Sequence, residues 1–129
     1  MAKVLIVDDE DVLLEMIAAL IEELGYHPLT ATNGREALDT LHALGEPPAL
    51  ILSDVMMPRM NGVEFARAIK SDPRFQHVPI VLMSAAGPPH HDHLAEQFIH
   101  KPFDVDYLSA LIERYVSNNH RHSGRAMGW

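Results

Sequence analysis

Residues Leu50–Gly62 read LILSDVMMPRMNG, and the place of every other motif follows from this stretch. Leu50-Ile51-Leu52 is a short apolar run of the kind that forms a buried strand, and it delivers Asp54 to its end, where Pro58, Asn61 and Gly62 mark a loop. A carboxylate is presented at a strand tip. Aspartate after a strand is by itself an ordinary turn former, whose side chain bonds the next backbone amides. Its meaning depends on what else the chain brings to the same place.

On the N-terminal side, Val4 to Val7 is another apolar run, and it stops at Asp8-Asp9-Glu10, three acids that would not sit inside a sheet. From Asp11 the spacing changes: Leu13, Ile17, Leu20, Ile21 and Leu24 recur at three- and four-residue steps before Gly25, which predicts a helix with one buried face. Leu29 to Ala31 reads as a brief second strand, and Asn33 as the cap of a helix that turns Ala37, Leu38, Leu41 and Leu44 inward and closes at Gly45. Pro47-Pro48 then leads into the strand of Asp54.

On the C-terminal side, Asn61 caps a helix with Val63, Ala66 and Ile69 along one side, ending before Pro73. Pro79 to Met83 predicts a fourth strand that hands over to Ser84, and Gln97 to Ile99 a fifth, followed by Lys101-Pro102. A last helix begins at Asp104 and places Leu108, Leu111, Ile112 and Tyr115 on one face. Ser117 onward is polar and without pattern, so the expectation is one domain over residues 1–117 and a frayed tail over 118–129.

Apolar strands alternating with helices at short loops predict an α/β domain built on a parallel sheet covered on both faces. Five such units fit the flavodoxin-like, doubly wound order 2-1-3-4-5, in which ligands bind beyond the carboxyl ends of the strands, between strands one and three. That topology gathers Asp8, Asp9, Asp54, Ser84 and Lys101 into one crevice. Carboxylates so close repel, by about 4 kcal/mol for a pair at 4 Å with an effective dielectric near 20, and need a positive partner. Oxygen-only ligands favour a hard cation, and Mg²⁺ suits a site of few carboxylates, several waters and a phosphate oxygen. A divalent cation and Lys101 around Asp54, with the Ser84 hydroxyl opposite, form a phosphoryl-transfer geometry in which Asp54 attacks in line and becomes an aspartyl phosphate.

Asp8-Asp9 after the first strand, Asp54 followed by Met57-Pro58 and Gly62, Ser84-Ala85, and Lys101-Pro102-Phe103 together resemble the receiver domain of bacterial two-component response regulators, of the stand-alone, chemotaxis-regulator kind. The similarity covers about Lys3 to Val116, and its specificity lies in the ordered set. The resemblance implies that Asp54 takes a phosphoryl group from a histidine kinase or histidine phosphotransfer protein. It implies too that Asp8, Asp9, Asp54 and the backbone carbonyl of Met56 organise Mg²⁺, and that Ser84 and Lys101 bind the phosphoryl group. It further implies a cis Lys101-Pro102 bond and a switch in which Phe98 turns inward as Ser84 moves toward the new charge.

Several features bound or alter that reading. At 129 residues, 47% hydrophobic, the chain is one domain able to bury a core. Zero cysteines exclude disulfides and thiolate metal sites, and no apolar stretch resembles a signal-peptide core or spans a bilayer. A cytoplasmic protein is expected, without membrane attachment. A net charge of −8 opposes binding to nucleic acid, which leaves an unknown downstream protein as the target and a monomer or weak dimer as the state. Between Ser84 and Lys101 the chain is shorter than receivers usually are, and Gly87-Pro88-Pro89-His90-His91-Asp92-His93 is hostile to a helix start. At most Asp92 to Gln97 remains for helix four. Met56 and Ala86 are non-polar where receivers tune dephosphorylation, which predicts a persistent phosphate and, at most, slow autodephosphorylation rather than an enzyme. His90, His91 and His93, or His120 and His122, are candidate transition-metal ligands that a polar loop and tail explain equally well, and Arg121 and Arg125 read as solvated. Two alternatives stand beside the receiver. One is an aspartyl-nucleophile phosphohydrolase, which wants a second Asp where this chain has Met56. The other is a receiver-like binding module that switches without phosphate.

Overall fold

The structure is a computed structural model that describes residues 1–87 and 94–128, with side chains as far as Ser117. Its elements in chain order are β1 (Lys3–Val7), α1 (Asp11–Glu23), β2 (His27–Ala31), α2 (Gly34–Ala43), β3 (Leu50–Asp54), α3 (Gly62–Lys70), β4 (Ile80–Ser84), β5 (Gln97–His100) and α4 (Val105–Gly128). The five strands form one parallel sheet in the order β2-β1-β3-β4-β5. This is the expected flavodoxin-like, doubly wound α/β fold.

Alternation along each strand builds two separate cores. Val4, Ile6, Leu50, Leu52, Val81, Met83 and Ile99 pack on one face against α1 and α4, while Leu5, Val7, Ile51, Ile80 and Leu82 pack on the other against α2 and α3. The central strands β3 and β4 are buried over their whole length, so their apolar runs carry no polar alternation for the sequence to display. Pro28 lies in β2, an edge strand, where a missing N–H is tolerated.

The caps hold as expected. Asn33 Oδ1 accepts from Glu36 N, and Asn61 forms a reciprocal capping box with Glu64. Asp104 Oδ1 accepts from Asp106 N at 2.8 Å. Two details differ from the expectation. The buried stripe of α1 is Leu14, Ile17 and Ile21, with Leu13, Leu20 and Leu24 only half-buried. The last helix does not fray at Ser117 but runs to Gly128. Residues without an apolar face still propagate a helix once it is nucleated, each adding a backbone bond, and no proline interrupts this segment. Leu94–Glu96 contain no α-helix. The rest of the candidate helix-four stretch, with His90, His91 and His93, lies outside the described residues, as do the side chains of His120, Arg121, His122 and Arg125. No helix among the described residues is long and apolar enough to cross a membrane.

Candidate functional site

The carboxyl ends of β1, β3, β4 and β5 lie side by side because the parallel register puts Val7 beside Ser53, Asp54 beside Met83 and Ser84 beside His100. The residues that leave those strand ends therefore meet. One carboxylate oxygen each from Asp8, Asp9 and Asp54 lies within 4.8 Å of the others. Asp8 and Asp54 are buried and Asp9 is exposed, so the cluster is walled by protein on one side and open to water on the other. Lys101 Nζ reaches in from beyond β5, 2.9 Å from Asp8 Oδ2 and 3.3 Å from Asp54 Oδ1.

The loop that follows Asp54 is held tightly. Gly62 N donates to Val55 O at 2.8 Å, and a Cβ on Gly62 would stand only 2.2 Å from Asp54 O. No other residue fits so near the strand tip. Arg59 turns the loop with a φ of 66°, a conformation uncommon outside glycine. Gly34 N donates to Met60 O at 3.2 Å and fastens the far side of the loop to the start of α2. Met56 follows in this loop with an exposed side chain.

Ser84 is buried at the tip of β4; its Oγ accepts from Ala86 N at 3.0 Å and its carbonyl from Lys101 N at 2.9 Å. The lysine and serine are thus tied through backbone before any ligand arrives. The Lys101-Pro102 bond is cis. Phe98 is half-buried in β5, pairs in register with Leu82 and packs against the core on the α2–α3 face. Since side chains alternate, Ser84 lies on that same face of β4, one step beyond Leu82.

Electrostatics in the pocket are unbalanced. The Asp54 carboxyl is raised above the ordinary aspartate range, first by burial and then by the neighbouring charge of Asp8, with Asp9 adding to it; the charge and hydrogen bond of Lys101 pull the other way without winning. Burial works to lower the Lys101 ammonium, but its hydrogen bond to Asp8 and the charges of Asp8 and Asp54 outweigh burial, and the net direction is up. Lys101 stays a cation, and one ammonium does not neutralise the group. The donor set fits Mg²⁺: hard oxygens only, one side open for waters. The three carboxylates are near enough for one small cation to be shared among them, with waters completing its shell.

The contact that sequence reasoning missed is Glu10, whose Oε1 lies 3.3 Å from Lys101 Nζ. It stands third in the run of acids after β1, but nothing in the spacing shows its side chain turning back across the pocket.

Residues 4–113 match the family model of the response regulator receiver domain. The chain belongs to that family. Response regulator Rre1 of Synechocystis sp. is 35% identical to it over 127 residues, which cover 92% of this chain and 53% of that protein. Chemotaxis protein CheY4 of Vibrio cholerae superposes with a TM-score of 0.80 at 32% identity, over 89% of this chain and 98% of that one. Response regulator TrrA of Thermotoga maritima, solved in complex with Mg²⁺ and BeF, superposes with a TM-score of 0.77 at 28% identity, over 89% of this chain and 99% of that one. The chain spans about half the length of the first curated relatives it matches. As a receiver it is a signalling domain of two-component systems, and its acidic cluster could hold a metal ion.

Proposed function

We propose that this receiver accepts a phosphoryl group on Asp54 from a phosphohistidine of a histidine kinase or phosphotransfer protein, and passes the signal to a protein partner by a change of conformation. The observation that carries the reading is Lys101 Nζ lying 3.3 Å from Asp54 Oδ1 within a cluster of acids. An Asp54 oxygen forms the new P–O bond as the donor's P–N bond breaks, and the electron pair leaves on the imidazole, which keeps or takes a proton from water. Lys101 binds a phosphoryl oxygen, and the Ser84 hydroxyl, whose Oγ accepts from Ala86 N, donates its O–H to the phosphoryl group. Asp8, Asp9, Asp54 and the Met56 carbonyl would hold Mg²⁺, which when bound neutralises charge on the transferring group and on the carboxylates around it. TrrA, solved with Mg²⁺ and BeF, supports this assignment.

The switch we infer is local. A group carrying about −1.5 to −2 charges at the tip of β3 draws Ser84 toward it, and Phe98, on the same face of the neighbouring strand, turns into the space that Ser84 leaves. Nothing polar at Met56 or Ala86 activates a hydrolytic water, so the phosphate persists and turnover is at most slow autodephosphorylation. The receiver occupies residues 1–117 and 118–129 form a polar C-terminal tail, whose residues as far as Gly128 continue the last helix; the protein acts in the cytoplasm as a monomer or weak dimer and does not bind nucleic acid.

Incubation with Mg²⁺ and acetyl phosphate tests the reading. A base-labile, one-to-one adduct that is absent in Asp54→Asn supports it, and sustained release of free phosphate would show a hydrolase instead. No adduct with any donor leaves a binding module that works without phosphate. Rapid Mg²⁺-dependent loss of the label from isolated protein would contradict the persistent phosphate.

A further inference from the structure

We infer that Glu10 is a positioning residue that holds Lys101 at rest and gives it up to the incoming phosphoryl group, an inference that rests on the phosphoacceptor role of Asp54. Lys101 Nζ has three carboxylate neighbours, Asp8 at 2.9 Å, Asp54 at 3.3 Å and Glu10 at 3.3 Å. An ammonium has three N–H donors and no more. Two of those donors are committed, to Asp8 Oδ2 and to Glu10 Oε1, and Asp54 stands within ion-pair distance, so an incoming phosphoryl oxygen competes with these anions for the ammonium.

The surroundings decide which one yields. Asp8 is fully buried and makes the shortest contact with Lys101, out of reach of any water that could replace the ammonium. Asp54 is itself the site of transfer. The Glu10 side chain is 65% exposed, so water takes over the bond that Lys101 gives up. Nor is its release tied to the helix it precedes. The backbone of Glu10 is fixed, with its N–H on Asp8 Oδ1 and its carbonyl accepting from Leu14 N, while its side chain makes no capping bond to α1. Glu10 and Lys101 also line one groove of about 520 Å³, otherwise walled largely by Val12, Leu13, Met16 and Phe103, which gives the side chain room to swing away. Glu10 is thus a competing anion at the one place where the pocket must admit another.

The test uses the whole chain and its Glu10→Gln variant, which keeps the shape and removes the charge. Affinity for beryllofluoride, a phosphoryl mimic, is measured at saturating Mg²⁺ in low and high salt, and affinity for Mg²⁺ alone is measured separately. The expected result is mimic binding about two- to fivefold tighter in the variant at low salt, the scale of an exposed ion pair, and converging with wild type near 1 M salt. Mg²⁺ affinity is expected to be equal or weaker. Damage to the pocket would weaken both ligands, so tighter mimic with no tighter metal marks displacement of a competing charge. Glu10→Ala, which removes any residual bond to Lys101, should shift the mimic in the same direction. If wild type binds the mimic and neither variant binds it more tightly, the inference is overturned. If wild type binds no mimic and forms no adduct on Asp54, the phosphoacceptor reading itself fails and this inference falls with it.

Discussion

Lys101 and Lys70 stand at opposite ends of the same parallel sheet, and the company each keeps is instructive. Lys70, at the end of α3, meets one carboxylate, Glu96 Oε2 at 3.4 Å, and two neutral carbonyls, Gln76 O at 3.3 Å and Val78 O at 3.4 Å. One positive charge faces one negative charge. Lys101 meets three carboxylates, with Asp9 close behind them, so the local charge stays strongly negative after its ammonium is counted. The first arrangement is complete and closes a seam between α3 and the starts of β4 and β5. The second is incomplete, and a cation or a phosphoryl group changes its energy steeply. Function sits where the fold leaves charge unbalanced.

Removing each ammonium gives the largest contrast. Lys101→Met is expected to slow phosphoryl transfer from acetyl phosphate by roughly a hundredfold or more, the scale of losing one preorganised group that stabilises transition-state charge. Lys70→Met should leave the initial rate within about twofold and lower the melting temperature by a few degrees, at roughly 3–5 °C per kcal/mol for a chain of this size. Rates of adduct formation and thermal melts on the two variants decide it. Equal losses of rate would mean that the two lysines do the same work.

Mg²⁺ should separate the two ends next. A ligand that binds only the folded state stabilises it by about 2.7 kcal/mol at a hundred times its dissociation constant, so saturating Mg²⁺ is expected to raise the melting temperature by about 10 °C. Asp9→Asn should remove most of that rise, while the shift caused by Lys70→Met should be the same with and without metal. A Mg²⁺ effect that survives in Asp9→Asn would place the ion elsewhere.

The two ends also differ in how far the sequence revealed them. Asp8, Asp9, Asp54, Ser84 and Lys101 each follow an apolar run, and a parallel sheet brings all such positions to one edge, so the fold alone predicts their convergence. The Lys70–Glu96 clamp has no such rule behind it. Its partners are 26 residues apart, joined by side chains that leave no periodic trace, and Glu96 precedes a strand that reads as only three residues. The reach of Glu10 toward Lys101 was hidden for the same reason. Continuation of α4 past Ser117 was missed because the end of that helix was placed where apolar spacing stops, and that signal records a buried face rather than the helix itself.

Glu96 offers a smaller test at the complete end. Its Oε1 accepts from Ile80 N at 2.7 Å while its own N–H donates to Ile80 O at 2.8 Å, so one residue satisfies both backbone groups at the start of β4. Glu96→Ala strands the Ile80 N–H and should cost about 1–2 kcal/mol, within the range for an unpaired buried donor. Glu96→Gln keeps an acceptor there and loses only a half-exposed ion pair, worth at most about 1 kcal/mol. Chemical denaturation of the two variants measures the difference, and an alanine no worse than the glutamine would show that the bond to Ile80 contributes nothing.

The smallest effect is the most direct measure of imbalance at the other end. Burial and the charge of Asp8 hold the folded-state pKa of Asp54 above its unfolded value, so the folded protein binds this proton more tightly than the unfolded chain does. The stability this group contributes is therefore full below the ordinary carboxylate range, near pH 4, and is lost as pH rises through the raised folded value. At pH 7 without Mg²⁺, Asp54→Asn should melt a few degrees above wild type, because it removes an ionised carboxylate that the pocket resists. The gap should close on acidification, as wild-type Asp54 takes up its proton, and reverse at saturating Mg²⁺, where the carboxylate gains the partner that Lys101 alone does not supply. Melting curves from pH 4 to 8, with and without the metal, read all three changes. A gap that widens toward low pH would mean that Lys101 already over-compensates Asp54 and that the pocket is as complete as the Lys70 seam.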